Sequence, residues 1–166
     1  MYKYNKNEFK RLINPIISNK EFQKTKEIAH HGITRYDHSM RVAYFSYLVT
    51  KFLRLDYKET TEAALLHDFF TDEVKHENAV FKLRRHPNHA VANAKKYFDL
   101  SDKQEDIIKT HMFPVTFTPP KYLESWIVDI VDDVAAIYEK TYSIKKEIQA
   151  AVTFMLILIV NFIKMR

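Results

Sequence analysis

The chain has no cysteine and a single glycine, Gly32, in 166 residues. The first absence removes disulfides, thiolate metal sites and cysteine nucleophiles together, so any metal must be held by His and carboxylate side chains. It also suits a reducing compartment, and the expected location is the cytoplasm. The second absence removes the glycine-rich loops that cradle phosphates or dinucleotides at a helix N-terminus, and leaves few places for tight hairpins. No Gly-x-Ser-x-Gly elbow is present, and no stretch alternates with period two long enough to mark a strand. The amino terminus, Met1-Tyr2-Lys3-Tyr4-Asn5-Lys6, carries charges with no apolar core behind them, so no secretory signal is expected. Long hydrophobic runs are equally scarce. Ala150 to Ile163 is nearly all apolar, but about 14 residues fall short of the roughly 20 that a membrane span needs. A final helix over 143–166, packed on the domain, is the expectation there, with a homodimer contact as its other use and no transmembrane span.

What is present argues for one compact domain over residues 1–166. Hydrophobic residues make up 46% and aromatics 14%, which excludes a disordered chain. A formal charge of +5 suits an anionic partner. Lys is nevertheless scattered among Glu and Asp with no basic recognition helix, so sequence-specific nucleic acid binding is not expected. Helix starts are well marked. Asp56 with Glu59 precedes Thr60 to Leu66, and Ser101 with Gln104 precedes Ile107-Ile108, both in capping-box spacing. Pro87 suits a first helical position ahead of Ala90, Val91, Ala94 and Phe98. Val42, Phe45, Val49, Phe52 and Leu53 form an apolar stripe on a helix from about Asp37 to Leu55. Trp126, Ile127, Ile130, Val131, Val134 and Ile137 do the same on a helix from Ser125 to Tyr142. The fold expected is all-α, a compact bundle of about seven or eight helices.

The chemistry is concentrated at His67-Asp68, which closes the apolar run Ala63-Ala64-Leu65-Leu66. An imidazole and a carboxylate at the end of a buried helix must find partners, because an unpaired buried charge costs several kcal/mol. A divalent metal suits both. His38 lies in the first turn of the preceding helix. Of Asp129, Asp132 and Asp133, it is Asp132 whose helical neighbours, Val128, Asp129, Ala135 and Ala136, make the smallest and most buried face. Asp132 is therefore the expected ligand, with Asp129 and Asp133 reaching solvent or holding a neighbouring histidine.

His38, then Ala-Leu-Leu-His67-Asp68, then Asp132 in Ile-Val-Asp-Asp-Val, resembles the H...HD...D signature of the HD-domain metal-dependent phosphohydrolase superfamily. The stretch from His30 to Phe70 is similar to small bacterial members. The resemblance covers about residues 28–140 and implies a helical bundle around a His, His-Asp, Asp metal site. Branches with a second metal carry two further histidines before the last aspartate, and His86 and His111 fall where those would lie, although His76 or His89 also fits the spacing. His30 and His31 precede Gly32 at an expected helix stop, where either would cap carbonyls or line a pocket mouth.

The expected metal ligands are thus His38, His67, Asp68, His86, His111 and Asp132, holding one or two divalent transition metals, Mn, Fe, Co, Ni or Zn. Such a site would act by metal-bound hydroxide, with Asp68 as the catalytic residue that bridges two metals or orients the water. Arg41 and Arg35 are the expected contacts to substrate phosphate; Lys75, Arg84, Arg85 and Lys109 lie near other ligand-bearing segments. The substrate would be a nucleotide or similar small phosphorylated metabolite, cleaved at a phosphomonoester, phosphodiester or phosphoanhydride. A noncatalytic nucleotide-sensing or partner-binding module with a structural metal is the alternative, and a di-iron oxygenase a lesser one. The loop Met112-Phe113-Pro114-Val115-Thr116-Phe117 would either cover the site or pack on the bundle.

Overall fold

The computed structural model describes residues 6–30, 32–70 and 79–164, with side chains over 6–30, 32–70 and 84–147 and at Gln149. Seven α-helices account for most of it: α1 (Lys6–Ile17), α2 (Lys20–Gln23), α3 (Arg35–Phe52), α4 (Tyr57–Leu66), α5 (Ala79–Ala94), α6 (Asp102–Thr110) and α7 (Leu123–Lys164). A 3₁₀ turn, Lys24–Glu27, follows α2. The all-α expectation holds, with one addition. Two short antiparallel strands, β1 (Ala29–His30) and β2 (Ile33–Thr34), pair Ala29 with Thr34 and His30 with Ile33. Two residues per strand are too few to leave a period-two signature. Gly32 makes the turn at φ +87°, and a Cβ there would stand 2.6 Å from Ser143 Oγ. Glycine is required both for that backbone conformation and for the approach to α7.

The helix boundaries follow from local chemistry. Thr34 accepts the Asp37 amide and starts α3 two residues before the sequence expectation. Asp56 caps α4 by accepting the Glu59 amide. Ser101 and Gln104 form a reciprocal capping box at α6. Pro87 lies inside α5 rather than at its first position, because the helix already begins at Ala79. The separate final helix expected over 143–166 is instead the second half of α7, which runs unbroken for 42 residues. Neither Gly nor Pro occurs after Pro120 to stop it. The side chains of 150–164 lie outside the described set. Among the described residues no helix is long and apolar enough to cross a membrane.

The core is built from Phe9, Ile13, Phe22, Val42, Tyr47, Ala63 to Leu66, Phe69, Ile107, Ile108 and Val128. Both expected apolar stripes face largely outward. On α3 only Val42 of that stripe is buried, while Phe45, Val49, Phe52 and Leu53 are exposed. The inward arc is Ser39, Val42, Ala43, Ser46, Tyr47 and Thr50. Small and hydroxylic side chains let α4 pack close, and Thr50 satisfies its hydroxyl on the Ser46 carbonyl at 2.6 Å. On α7 Ile127 of the stripe is buried and Val131 packs against the core, but the inward face is otherwise Val128, Asp132, Ala135 and Glu139, leaving Trp126, Ile130, Val134 and Ile137 exposed.

One polar cluster ties α1 to the two helices that carry the site. Glu8 accepts the Tyr47 and Tyr57 hydroxyls, each at 2.8 Å, and pairs with Lys51. The Lys51 ammonium and both hydroxyls hold its carboxyl down at about 2. Glu8→Ala strands three donors at once and is expected to lower the unfolding free energy by about 1–3 kcal/mol, measured by urea denaturation.

Candidate metal centre

Five elements converge on Asp68. His67 caps the C-terminus of α4, and its Nδ1 donates to the Ala64 carbonyl at 2.7 Å. His111 caps α6 in the same way, donating from Nδ1 to the Ile108 carbonyl at 2.7 Å. A proton fixed on Nδ1 turns Nε2 of each ring inward, and carbonyls of this kind are what orient metal-binding imidazoles. Both rings are fully buried and pack edge to face, 4.9 Å between centroids.

His38 on α3 sits between two carboxylates of α7. Its Nδ1 is 2.9 Å from Glu139 Oε2 and its Nε2 is 2.8 Å from Asp132 Oδ1. The same Asp132 oxygen lies 3.4 Å from His67 Nε2. His86 on α5 faces His111, Nε2 to Nε2, at 2.8 Å. Two lone pairs at that separation repel unless a proton or a cation is shared. Asp68 divides its oxygens. Oδ1 is 3.5 Å from His86 Nε2 and 3.8 Å from His111 Nε2, while Oδ2 is 3.7 Å from His30 Nε2 and 3.9 Å from Arg35 Nε.

The electrostatics follow from this packing. Burial would raise Asp68 and Asp132, but the surrounding histidines outweigh it and hold both carboxyls well below the usual range. Burial, reinforced by repulsion from His67 and His86, lowers His111 to about 3, so its ring is neutral. Burial also pulls on His38, yet the Asp132 and Glu139 carboxylates prevail and raise it to about 10.

These residues fit a divalent metal. The donors are all nitrogen and oxygen. His67 Nε2 is fully buried and has no hydrogen-bond partner, an arrangement that costs energy unless a ligand completes it. Three overlapping donor groups are close enough to hold an ion: His38, His67 and Asp132; His67, Asp68 and His111; and His30, His38 and Asp68. The chain matches the HD domain over residues 35–137, more than half its length, and the match spans His38, His67-Asp68 and Asp132. The chain belongs to the HD domain family. No curated protein and no solved structure matches it.

All six residues read as ligands lie within this HD domain's central cluster. Arg35 is buried beside Asp68, donating from Nη1 to the Phe70 carbonyl at 2.6 Å with its guanidinium 3.8 Å from the Phe70 ring. Arg41 pairs with Glu139 and so braces the carboxylate behind His38. His89, Arg85 and Lys109 are exposed. Arg84 is exposed as well and donates to the Val115 carbonyl. His31, Lys75 and His76 lie outside the described residues. Asp133 is exposed, whereas Asp129 is buried and neither reaches solvent nor holds a histidine. The residue that holds His38, Glu139, escapes the sequence reading; its seven-residue spacing from Asp132, two helical turns along one face, is the signal that could have found it. In the loop after His111, Phe113 packs on Trp126 at 5.3 Å while Phe117 is exposed. Asp106 pins the end of that loop, accepting the Lys121 amide at 2.9 Å and the Ser125 hydroxyl at 2.7 Å. That brace sets the register between His111 and Asp132.

Burial and the adjacent Asp133 charge push Asp129 up to about 7, against the opposing hydrogen bond from the Phe113 amide. The folded state therefore keeps a proton that the unfolded chain, with an ordinary carboxyl near pKa 4, has released. Stability falls as pH rises across that window and levels off above about 7. Asp129→Asn is expected to flatten this slope and to melt above the parent protein at pH 8, as read from Tm at a series of pH values.

Proposed function

We propose that the protein is a metal-dependent phosphohydrolase acting on a nucleotide or similar small phosphorylated metabolite. The observation that carries this reading is the divided geometry of Asp68, with one oxygen toward His86 and His111 and the other toward His30 and Arg35. A carboxylate that belongs to both the His30, His38, Asp68 and the His67, Asp68, His111 donor groups would serve a cation held in either. One cation would be held with His38, His67 and Asp132, the other with His86 and His111. When bound, such a metal acidifies water and polarises phosphoryl oxygens.

The chain's own residues do the rest. Glu139 and the carbonyls of Ala64 and Ile108 fix the tautomers and ring angles of His38, His67 and His111. Asp68, ionised at neutral pH, would orient a water if a single metal is bound, through the oxygen 3.5 Å from His86 and 3.8 Å from His111. Arg35, held by Phe70, keeps a fixed positive charge beside Asp68, where a phosphoryl group would develop negative charge. Arg41 serves by holding Glu139 rather than by gripping phosphate. His30 and His86 are the cluster members with partly exposed side chains, so substrate enters between the β1–β2 hairpin and α5. The aromatic rings of Phe70, 5.5 Å from His86, and of exposed Phe117 offer surfaces for a base.

The test is turnover by metal-reconstituted protein on a panel of nucleoside monophosphates, cyclic nucleotides and dinucleoside polyphosphates. At least one is expected to be hydrolysed, and Asp68→Asn is expected to lower kcat by about 10²–10⁴-fold with unchanged helicity. A folded, metal-loaded protein that turns over none of them would favour the noncatalytic binding module.

A further inference from the structure

Helix α7 carries two opposite stripes. Val128, Asp132, Ala135 and Glu139 face the site, spaced four, three and four residues apart. Two residues along, and so about 200° around the helix, run Ile130, Val134, Ile137, Thr141 and Ile144. Ile130 is 58% exposed, Val134 61% and Ile137 67%. This second stripe has the alternating three-four spacing of a coiled-coil seam, and in the sequence the spacing runs on through Ile148, Met155 and Phe162. Among the described residues Glu139 is the last buried side chain of α7. Ile144 to Glu147 are exposed. At 1.5 Å per residue, 42 residues extend about 63 Å, far more than the site requires.

We propose that α7 pairs antiparallel with α7 of a second copy of this chain, so that the outward stripe of each helix covers that of the other. The charges flanking the seam favour an antiparallel arrangement. With Thr141 opposite the partner's Ile144, Lys140 meets the partner's Glu147 and Glu147 meets the partner's Lys140, while Tyr138 lies beside the partner's Lys145. Sliding by one heptad sets Lys140 against the partner's Lys140 in one direction and Glu147 against the partner's Glu147 in the other. A parallel pair sets Lys140 against the partner's Lys145. Of these three only the first matches opposite charges at the seam's edge, and such pairs are what set orientation and register in helix pairs; a slide of two heptads would instead pair Lys140 with the partner's Asp133, and the charge exchange at Glu147 tells the two registers apart.

Sedimentation equilibrium of the full chain tests this. The parent protein is expected to be a dimer. Lys140→Glu and Glu147→Lys are each expected to raise its dissociation constant about tenfold or more, since each exchanges two attractive contacts for two repulsive ones. The double exchange is expected to restore it. Ile137→Glu, at an exposed position, should give a monomer of unchanged helicity by circular dichroism. A parent protein that is monomeric at every concentration overturns the proposal, and so does one that stays monomeric and pellets with neutral phospholipid vesicles. Tighter association on Lys140→Glu overturns the antiparallel register, as does a double exchange no stronger than either single one.

Discussion

The centre of this bundle depends on two hydrogen bonds of the same kind, from Nδ1 of His67 and Nδ1 of His111 to the carbonyls three residues before them. Each forms because a helix ends there and leaves its last carbonyls without amide partners. By occupying Nδ1, the helix end commits the ring to presenting Nε2 inward. In His67 that nitrogen is left wholly buried with no hydrogen-bond partner. An apolar group in its place would cost less, so the arrangement makes physical sense as a preorganised ligand rather than as a contribution to stability.

The rest of the fold serves that centre. Helix α3 brings His38 in among small and hydroxylic residues that allow close packing on α4. Helix α7 supplies Asp132 and, two turns later, Glu139, so that His38 is gripped from one helix on both ring nitrogens. The hairpin at Gly32 rests on Ser143 of the same helix and carries His30 to Asp68. One helix therefore orders His38, supports the hairpin and presents an opposite apolar face to solvent.

The central cluster was legible in the sequence because its members carry distinctive chemistry: a doublet closing an aliphatic run, and an aspartate among small neighbours. The orientation of α3 and α7 was not, because the size of Phe45, Phe52, Ile130 and Ile137 overstates their claim to the interior. A site built from His and Asp turns the polar stripe inward and releases the aliphatic one. The hairpin was illegible for want of length, and the continuity of α7 was masked by the change in composition near residue 143. Glu139 stood in plain view at a two-turn spacing, but an acid on a Lys- and Glu-rich helix resembles any solvated charge until His38 is seen against it.

The central claim is that buried imidazole and carboxylate groups gathered from α3, α4, α5, α6 and α7 form one metal centre. Anomalous scattering from crystals of the protein loaded with a single transition metal, recorded at that metal's absorption edge, addresses it directly. The account predicts one or two peaks lying among His38, His67, Asp68, His86, His111 and Asp132. Metal bound only at the surface, or no peak among these six side chains, would contradict it.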